Sequence, residues 1–266
     1  MSNYSTNRDW EKWFPFSTYP LDDSTHLKVI CFHHAGGSAS VYRSWTQIKG
    51  EFNFIAVEFA GKGTRKSERF ITDFAEIAPS LCEAVDKLVG SEEYIIFGHS
   101  MGAAAAFYTA DFMSRLYGHK PTEIIVACRH APHVELEGEF KSYMDDEALI
   151  DELRRYNATP KEILENREIL DFLLPSIRKD YELNDSFRYH EEMLDVPVIA
   201  HCATDDEDAT KELMEAWSEV TSEDFYIKEF EGGHFFIFDM GMDYVGELME
   251  EIDQYCYVGG RNDKVD

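Results

Sequence analysis

Residues 94–102 read YIIFGHSMG, and the order of these nine residues decides how the rest of the chain is read. Residues 94–97 are apolar and have the length of a buried strand. Gly98-His99-Ser100-Met101-Gly102 follows without a break, and residues 103–107, AAAAF, open a helix. A strand that turns directly into a helix lifts the residue at the turn, here Ser100, and leaves its hydroxyl exposed. Bulky side chains two positions to either side would collide with the strand and the helix. Gly98 and Gly102 remove that collision.

A bare GxSxG arises by chance in about a tenth of chains of this length, so the flanking strand and the alanine-rich helix carry the argument. Together they make a nucleophile elbow of the α/β-hydrolase kind. Composition is consistent with this. The chain has 266 residues, 44% of them hydrophobic and 14% aromatic, enough for a sizeable core. Acids outnumber bases by 52 to 25, for a net charge of −27. So acidic a chain is ill suited to nucleic acid or an anionic membrane surface. No apolar run is long enough to span a bilayer. MSNYSTNRDWEKWF lacks a basic flank followed by an apolar stretch, so no secretion signal is expected and the cytoplasm is the expected location. The five cysteines, Cys31, Cys82, Cys128, Cys202 and Cys256, form no CxxC pair. They are expected to be reduced, and neither a metal site nor a cofactor is expected.

Along the chain, short apolar stretches alternate with helical periodicity. Residues 1–26 read as an arm whose rings, Trp10, Trp13, Phe14 and Phe16, pack on the body. Strands are expected at 27–32, 53–59, 94–97, 123–128, 196–202 and 225–230. Helices are expected at 40–48, 73–89, from the elbow to 117, at 209–220 and at 239–255. Asp73 with Glu76 resembles a capping box. Alternation of this kind means parallel pairing, right-handed crossovers and a mostly parallel central sheet flanked by helices. From about 134 to 194 the pattern changes to short helices, at 145–156, 160–166 and 167–187, with breaks at 157–160 and near Leu174-Pro175. A helical insertion there is expected to be a lid over the catalytic face. The whole, 1–266, reads as a single domain and a monomer with a mobile tail at 257–266.

A serine hydroxyl needs a base, and in this fold the order is Ser, then Asp or Glu, then His. Of ten histidines, His234 is the one on a glycine turn, GGH, after the final strand. The acid belongs at the end of strand 196–202, where Asp205, Asp206, Glu207 and Asp208 cluster; Asp206 is preferred, with Asp205 the alternative. The two oxyanion N–H groups are assigned to Met101, after the nucleophile, and to Ala35, in the HHAGGS loop after the first strand. His33 and His34 are adjacent on a strand and point to opposite faces, which argues against joint metal ligation.

With these residues in view the chain resembles the type II thioesterases of polyketide and nonribosomal peptide synthesis, over about residues 27–255. The matching pieces are FHHAGGSAS, AGKGTR, GHSMGA, CRHAPH, LLPSIRKDYEL, the acidic pair before AWSEVT, and FEGGHFF. The resemblance implies an α/β-hydrolase fold with a helical lid and Ser100, Asp206 and His234 as catalytic residues. It also implies a phosphopantetheine-bearing acyl or peptidyl carrier protein as partner. His33 and Ala60 stand where the family often has proline and Cys128 where it often has glycine; none is expected to touch the chemistry. Lys62, Arg65, Lys66 and Arg69 form a basic run that could meet carrier acids or the phosphate. A carboxylesterase, an acyltransferase or cyclase, and a non-catalytic binding module on the same fold remain alternatives.

Overall fold

The computed structural model describes residues 9–17, 26–157 and 159–259, with backbone alone for 256–259. Six strands form one sheet: β1 (Leu27–Phe32), β2 (Phe52–Ala56), β3 (Tyr94–His99), β4 (Glu123–Ala127), β5 (Val198–Ala203) and β6 (Phe225–Phe230). Their order is β2-β1-β3-β4-β5-β6, and every pairing is parallel. β3, β4 and β5 are buried along their whole length, as strands covered by helices on both faces must be. The crossovers include α1 (Phe74–Val89), α2 (Met101–Phe112), then α3 (Asp146–Arg155), α4 (Lys161–Leu164) and α5 (Arg167–Ser186) between β4 and β5. They are followed by α6 (Lys211–Glu215), α7 (Phe236–Asp239) and α8 (Met242–Gly259). The strand order reverses between β1 and β3. The loops leaving those two strands therefore diverge and open a crevice at the carboxyl edge of the sheet.

The arm is packed as expected where it is described. Trp13 and Phe14 are buried, the Trp13 carbonyl accepts from Glu58 N–H at 2.8 Å, and the Arg65 guanidinium lies 4.2 Å from the Trp13 ring. Residues 260–266 of the tail lie outside the described residues, and α8 runs on to Gly259. Among the described residues no helix is long and apolar enough to cross a membrane.

Several expected elements differ, each for a physical reason. Residues 40–48 form two 3-10 turns, Ala39–Tyr42 and Trp45–Gln47, instead of one α-helix. Ala39, Tyr42 and Trp45 recur every third residue and all are buried, which matches the three-residue period of that helix. Paired β2 ends at Ala56; beyond it Glu58 bonds to the arm. Residues 209–220 divide into α6 and a 3-10 turn, Ala216–Val220. The final helix is split into α7 and α8 at Gly241, which has a φ of 59°. Asp73 caps α1 by accepting from Ala75 N–H at 2.8 Å, while the Glu76 carboxylate pairs with Arg69 instead of closing a capping box. Finally, Pro175 does not break the chain: α5 runs through it. An interior proline costs about 3 kcal/mol. Leu170, Leu174 and Leu183 on the same helix are buried, and each side chain contributes about 1.5–3 kcal/mol. Burial therefore outweighs the missing hydrogen bond.

At the elbow the two glycines are enforced by backbone. A Cβ on Gly98 would sit 2.1 Å from the Gly102 carbonyl oxygen, and one on Gly102 would sit 2.1 Å from that of Phe32. Gly246, within α8, has open space around it. Gly102→Ala is thus expected to destabilise the chain by about 3 kcal/mol or more. Gly246→Ala is expected to stabilise it by about 0.5–1 kcal/mol. Urea unfolding of the two variants would check both signs.

Candidate active site

Ser100 sits between β3 and α2 with φ 57° and ψ −119°, a conformation that costs a non-glycine residue on the order of 1–3 kcal/mol. The surroundings hold it there: its N–H donates to the Ala127 carbonyl at 2.8 Å, and the glycines on either side let strand and helix close on the turn. The hydroxyl lies 2.9 Å from His234 Nε2. His234 Nδ1 lies 2.7 Å from Asp206 Oδ2. An ionised carboxylate can only accept, so the proton belongs on Nδ1 and Nε2 is left as the acceptor for the serine hydroxyl.

His234 and Asp206 come from two loops tied to one another. Thr204 N–H donates to the Phe230 carbonyl at 3.0 Å and Asp205 N–H to the Gly232 carbonyl at 2.8 Å. Gly232 has a φ of 118°, which lets the loop after β6 turn back. The four acidic candidates after β5 now separate. Asp205 and Glu207 are exposed, Asp206 is 4% exposed, and Asp208 is engaged by Arg155 and by the Tyr156 hydroxyl. Only Asp206 of the four reaches the imidazole.

The Asp206 carboxyl is pushed up by burial. The bond and charge of His234, the Asp208 N–H and the Cys128 thiol outweigh this and hold it below its ordinary value. Beneath the site, His99 Nε2–H donates to the His234 carbonyl at 2.7 Å, and His34 Nδ1 meets His99 Nδ1 at 3.4 Å. Burial, followed by the nearby His234, lowers His99 to about 3, and burial places His34 well below its ordinary value. Both are therefore neutral supports. His33 points the other way, into the core against Phe59, as strand alternation demands.

Met101 is the first residue of α2, so its N–H has no intrahelical acceptor. In the loop after β1, the Gly36 N–H donates to Asp180 at 2.6 Å and the Gly37 N–H to the His34 carbonyl at 3.1 Å. Ala35 is left as the loop's candidate donor, and it lines a small cavity of about 40 Å³ together with Ser100, Met101 and His234. A larger cavity of about 540 Å³ opens on one side of Ser100. Its apolar wall is built by Leu153, Ile163, Leu170, Leu173 and Ile177 of the inserted helices and by Phe235 and Phe238. On the other side a more polar cleft of about 640 Å³ includes Arg129, His133, Lys141 and Arg188; it shares Arg129, His130, Glu139 and Asn184 with the small cavity. Behind this wall lies a buried cluster around Phe140, Leu149 and Leu164; Leu170 belongs to both, and Leu153 and Ile177 pack on the cluster while lining the cavity.

Two readings of the sequence are corrected here. Cys128 is not remote from the site. It is buried at φ 53°, a backbone conformation that favours glycine, and its thiol donates to Asp206. The donor atoms of Cys128, Asp206 and His234 lie within 4.8 Å of one another, a set compatible with a metal but already joined by internal hydrogen bonds. The basic run is not a free surface. Lys62 is buried against Asp180, and Arg65 is buried, bonding to Glu68 and to the Glu58 carbonyl; only Lys66 and Arg69 are exposed. Residues unassigned from sequence also belong here. The Tyr156 ring lies 4.2 Å from that of His234, and Asp180 reaches the loop after β1 from 144 residues away. Nothing in the spacing of either residue signals this; only the resemblance of the RKDYEL stretch pointed near Asp180.

A serine relayed through histidine to a buried carboxylate, beside two candidate N–H donors and an apolar cavity, is equipped for acyl transfer. The family model of the thioesterase domain matches residues 27–256. The chain belongs to this family. It is a thioesterase, a hydrolase, on an α/β-hydrolase fold. The linear gramicidin dehydrogenase LgrE of Brevibacillus parabrevis is 36% identical to it over 214 residues, covering 79% of this chain and 81% of its own. The gramicidin S biosynthesis protein GrsT of Aneurinibacillus migulanus is 29% identical over 230 residues, 86% and 89% of the two chains. The type II thioesterase BorB of the borrelidin biosynthetic cluster superposes with a TM-score of 0.74 at 30% identity, covering 88% of this thioesterase and 94% of BorB.

Because the folded state holds Asp206 below the ordinary carboxylate value, about 3.9, the ionised group stabilises the fold above that pH. The contribution is lost as pH falls through the lower folded value. Asp206→Asn is expected to remove this part of the acid dependence, read as a flatter urea midpoint across the acidic range. It is also expected to lower kcat by about four orders of magnitude by permitting the wrong imidazole tautomer.

Proposed function

We propose that the protein is a type II thioesterase. It releases acyl or peptidyl groups from the phosphopantetheine arm of carrier proteins in polyketide or nonribosomal peptide biosynthesis, acting in the cytoplasm. The observation that carries the reading is the continuous hydrogen-bonded series Ser100–His234–Asp206 at the mouth of an apolar cavity. Ser100 attacks the thioester carbonyl while His234 Nε2 takes its proton. Asp206 stabilises the imidazolium, and the Ala35 and Met101 N–H groups receive the oxyanion. Collapse breaks the C–S bond, and the pantetheine sulfur leaves as a thiol with the proton returned by His234. Water, deprotonated by the now neutral His234, then attacks the acyl-serine; the C–O bond breaks, the proton passes back to Ser100 Oγ and the free acid leaves.

The two-sided layout supports this substrate class. The apolar cavity suits an acyl chain. The polar cleft past Arg129 suits the amide-rich arm, with the small cavity at Ser100 between them. Residues 134–194 act as the lid of a single α/β unit, since their helices supply most of the apolar wall. A redox reading, which the name of the Brevibacillus relative raises, lacks its usual signature: the chain contains no GxGxxG.

Turnover of a panel of acyl-loaded carriers, the matching free thioesters and the matching oxygen esters tests the reading. Carrier-bound thioesters should turn over fastest and give the free acid by product mass. Ser100→Ala should abolish both turnover and fluorophosphonate labelling. A preference for oxygen esters, or a product joined to an amine or alcohol, would move the assignment to an esterase or an acyltransferase. Within the cavity, Leu173→Trp should raise KM for the longest acyl chains by about tenfold and leave short chains unaffected, as measured across a chain-length series.

A further inference from the structure

Three segments far apart in sequence meet at one carboxylate. Asp180 lies on α5, one turn beyond Ile177, which lines the apolar cavity. Its Oδ2 accepts the Gly36 N–H at 2.6 Å and also binds Lys62 Nζ. Gly36 belongs to the loop after β1, and Lys62 to the loop after β2. Both charged side chains are buried, with Asp180 3% and Lys62 6% exposed. Gly36 takes a φ of 82°, which glycine reaches without steric cost but holds only loosely by itself, since its backbone is free to take many other conformations. The next residue back is Ala35.

A buried carboxylate one residue from an oxyanion donor would by itself oppose the negative charge that forms there. Lys62 cancels that opposition and leaves the hydrogen bond to Gly36. An anchor of this kind does not touch the reacting atoms; it fixes the direction of the neighbouring N–H. Resting on the reading of Ser100 as nucleophile and Ala35 as oxyanion donor, we propose that Asp180, neutralised by Lys62, is a positioning residue. It holds the Ala35–Gly36 turn so that the oxyanion hole is complete only while α5 is seated on the sheet. Seating of the helix that walls the acyl cavity and assembly of the oxyanion hole then become one event.

Two variants test the proposal in the full chain, with ordinary free thioesters as substrate and an alkyl boronic acid as a mimic of the tetrahedral intermediate. Asp180→Leu combined with Lys62→Met replaces the ion pair by apolar side chains, a change that cores often tolerate. It should lower kcat about a hundredfold, weaken boronate binding by a similar factor and change KM by no more than about threefold. Asp180→Asn keeps a neutral acceptor for Gly36. It should lose about tenfold in kcat and in boronate affinity alike. Circular dichroism and cooperative unfolding establish which variants are folded. A folded variant of either kind that keeps kcat within about twofold of the unmodified chain, or that loses kcat with boronate affinity unchanged, would overturn the assignment. If the double variant does not fold, the Asp180→Asn measurement decides alone. Turnover by Ser100→Ala in the same assay would instead overturn the catalytic reading of the site, and the positioning role with it.

Discussion

The turn at Ser100 is a steric clasp, and the molecule is arranged around keeping it closed. Gly102 lies under the Phe32 carbonyl and Gly98 under the first turn of α2, with no room for a methyl group at either place. That contact draws the end of β1 against the start of α2. It therefore sets the loop after β1 beside the serine. The sheet supplies the remaining constraint. With all six strands parallel, every strand end that can carry chemistry lies on the same edge. The loops after β1, β3, β4, β5 and β6 contribute Ala35, Ser100, Cys128, Asp206 and His234 in turn.

Charge is handled locally within a strongly acidic chain. Asp206 has an imidazole, an N–H and a thiol to answer it. Asp180 has Lys62. Glu58, also buried, accepts from Ala39 N–H and Thr64 N–H. His34 and His99 beneath the site are kept neutral by burial. The same logic anchors α8, where the buried His201 on β5 binds Tyr244 and Glu251. Asp206, Asp180, Glu58 and His201 therefore each tie together segments distant in sequence, and most of the excess of acid is left to the surface, where it favours solubility.

Much of this was legible in the sequence because it is local. The elbow, the strand alternation and the GGH turn each occupy fewer than ten residues and carry their own steric reasons. Position narrows the acid to the cluster at 205–208 and leaves Asp205 as an alternative; it is Asp206 that lies against the imidazole. What was not legible depends on distance in space. Asp180 is 144 residues from Gly36. Cys128 looked like an ordinary core thiol because its neighbour Asp206 lies on another strand end. The basic run looked solvated because nothing in its own composition shows that Asp180 and Trp13 lie above it. The 3-10 turns at 39–47 differ for another reason: the three-residue spacing of Ala39, Tyr42 and Trp45 is local and present in the sequence, but a helix expected at 40–48 does not distinguish that period from 3.6.

The burial of the cysteines has a further consequence for an enzyme that liberates a thiol at every turnover. Cys31, Cys82, Cys128 and Cys202 are all free and buried. Desolvation lifts each above its ordinary value, Cys202 to about 11 and Cys82 to about 12. Disulfide exchange requires a thiolate. None of these four sulfurs supplies one at neutral pH, including the one that touches Asp206. A thiol leaving the site therefore passes no thiolate among them, and their burial keeps them out of exchange with thiols and disulfides in solution.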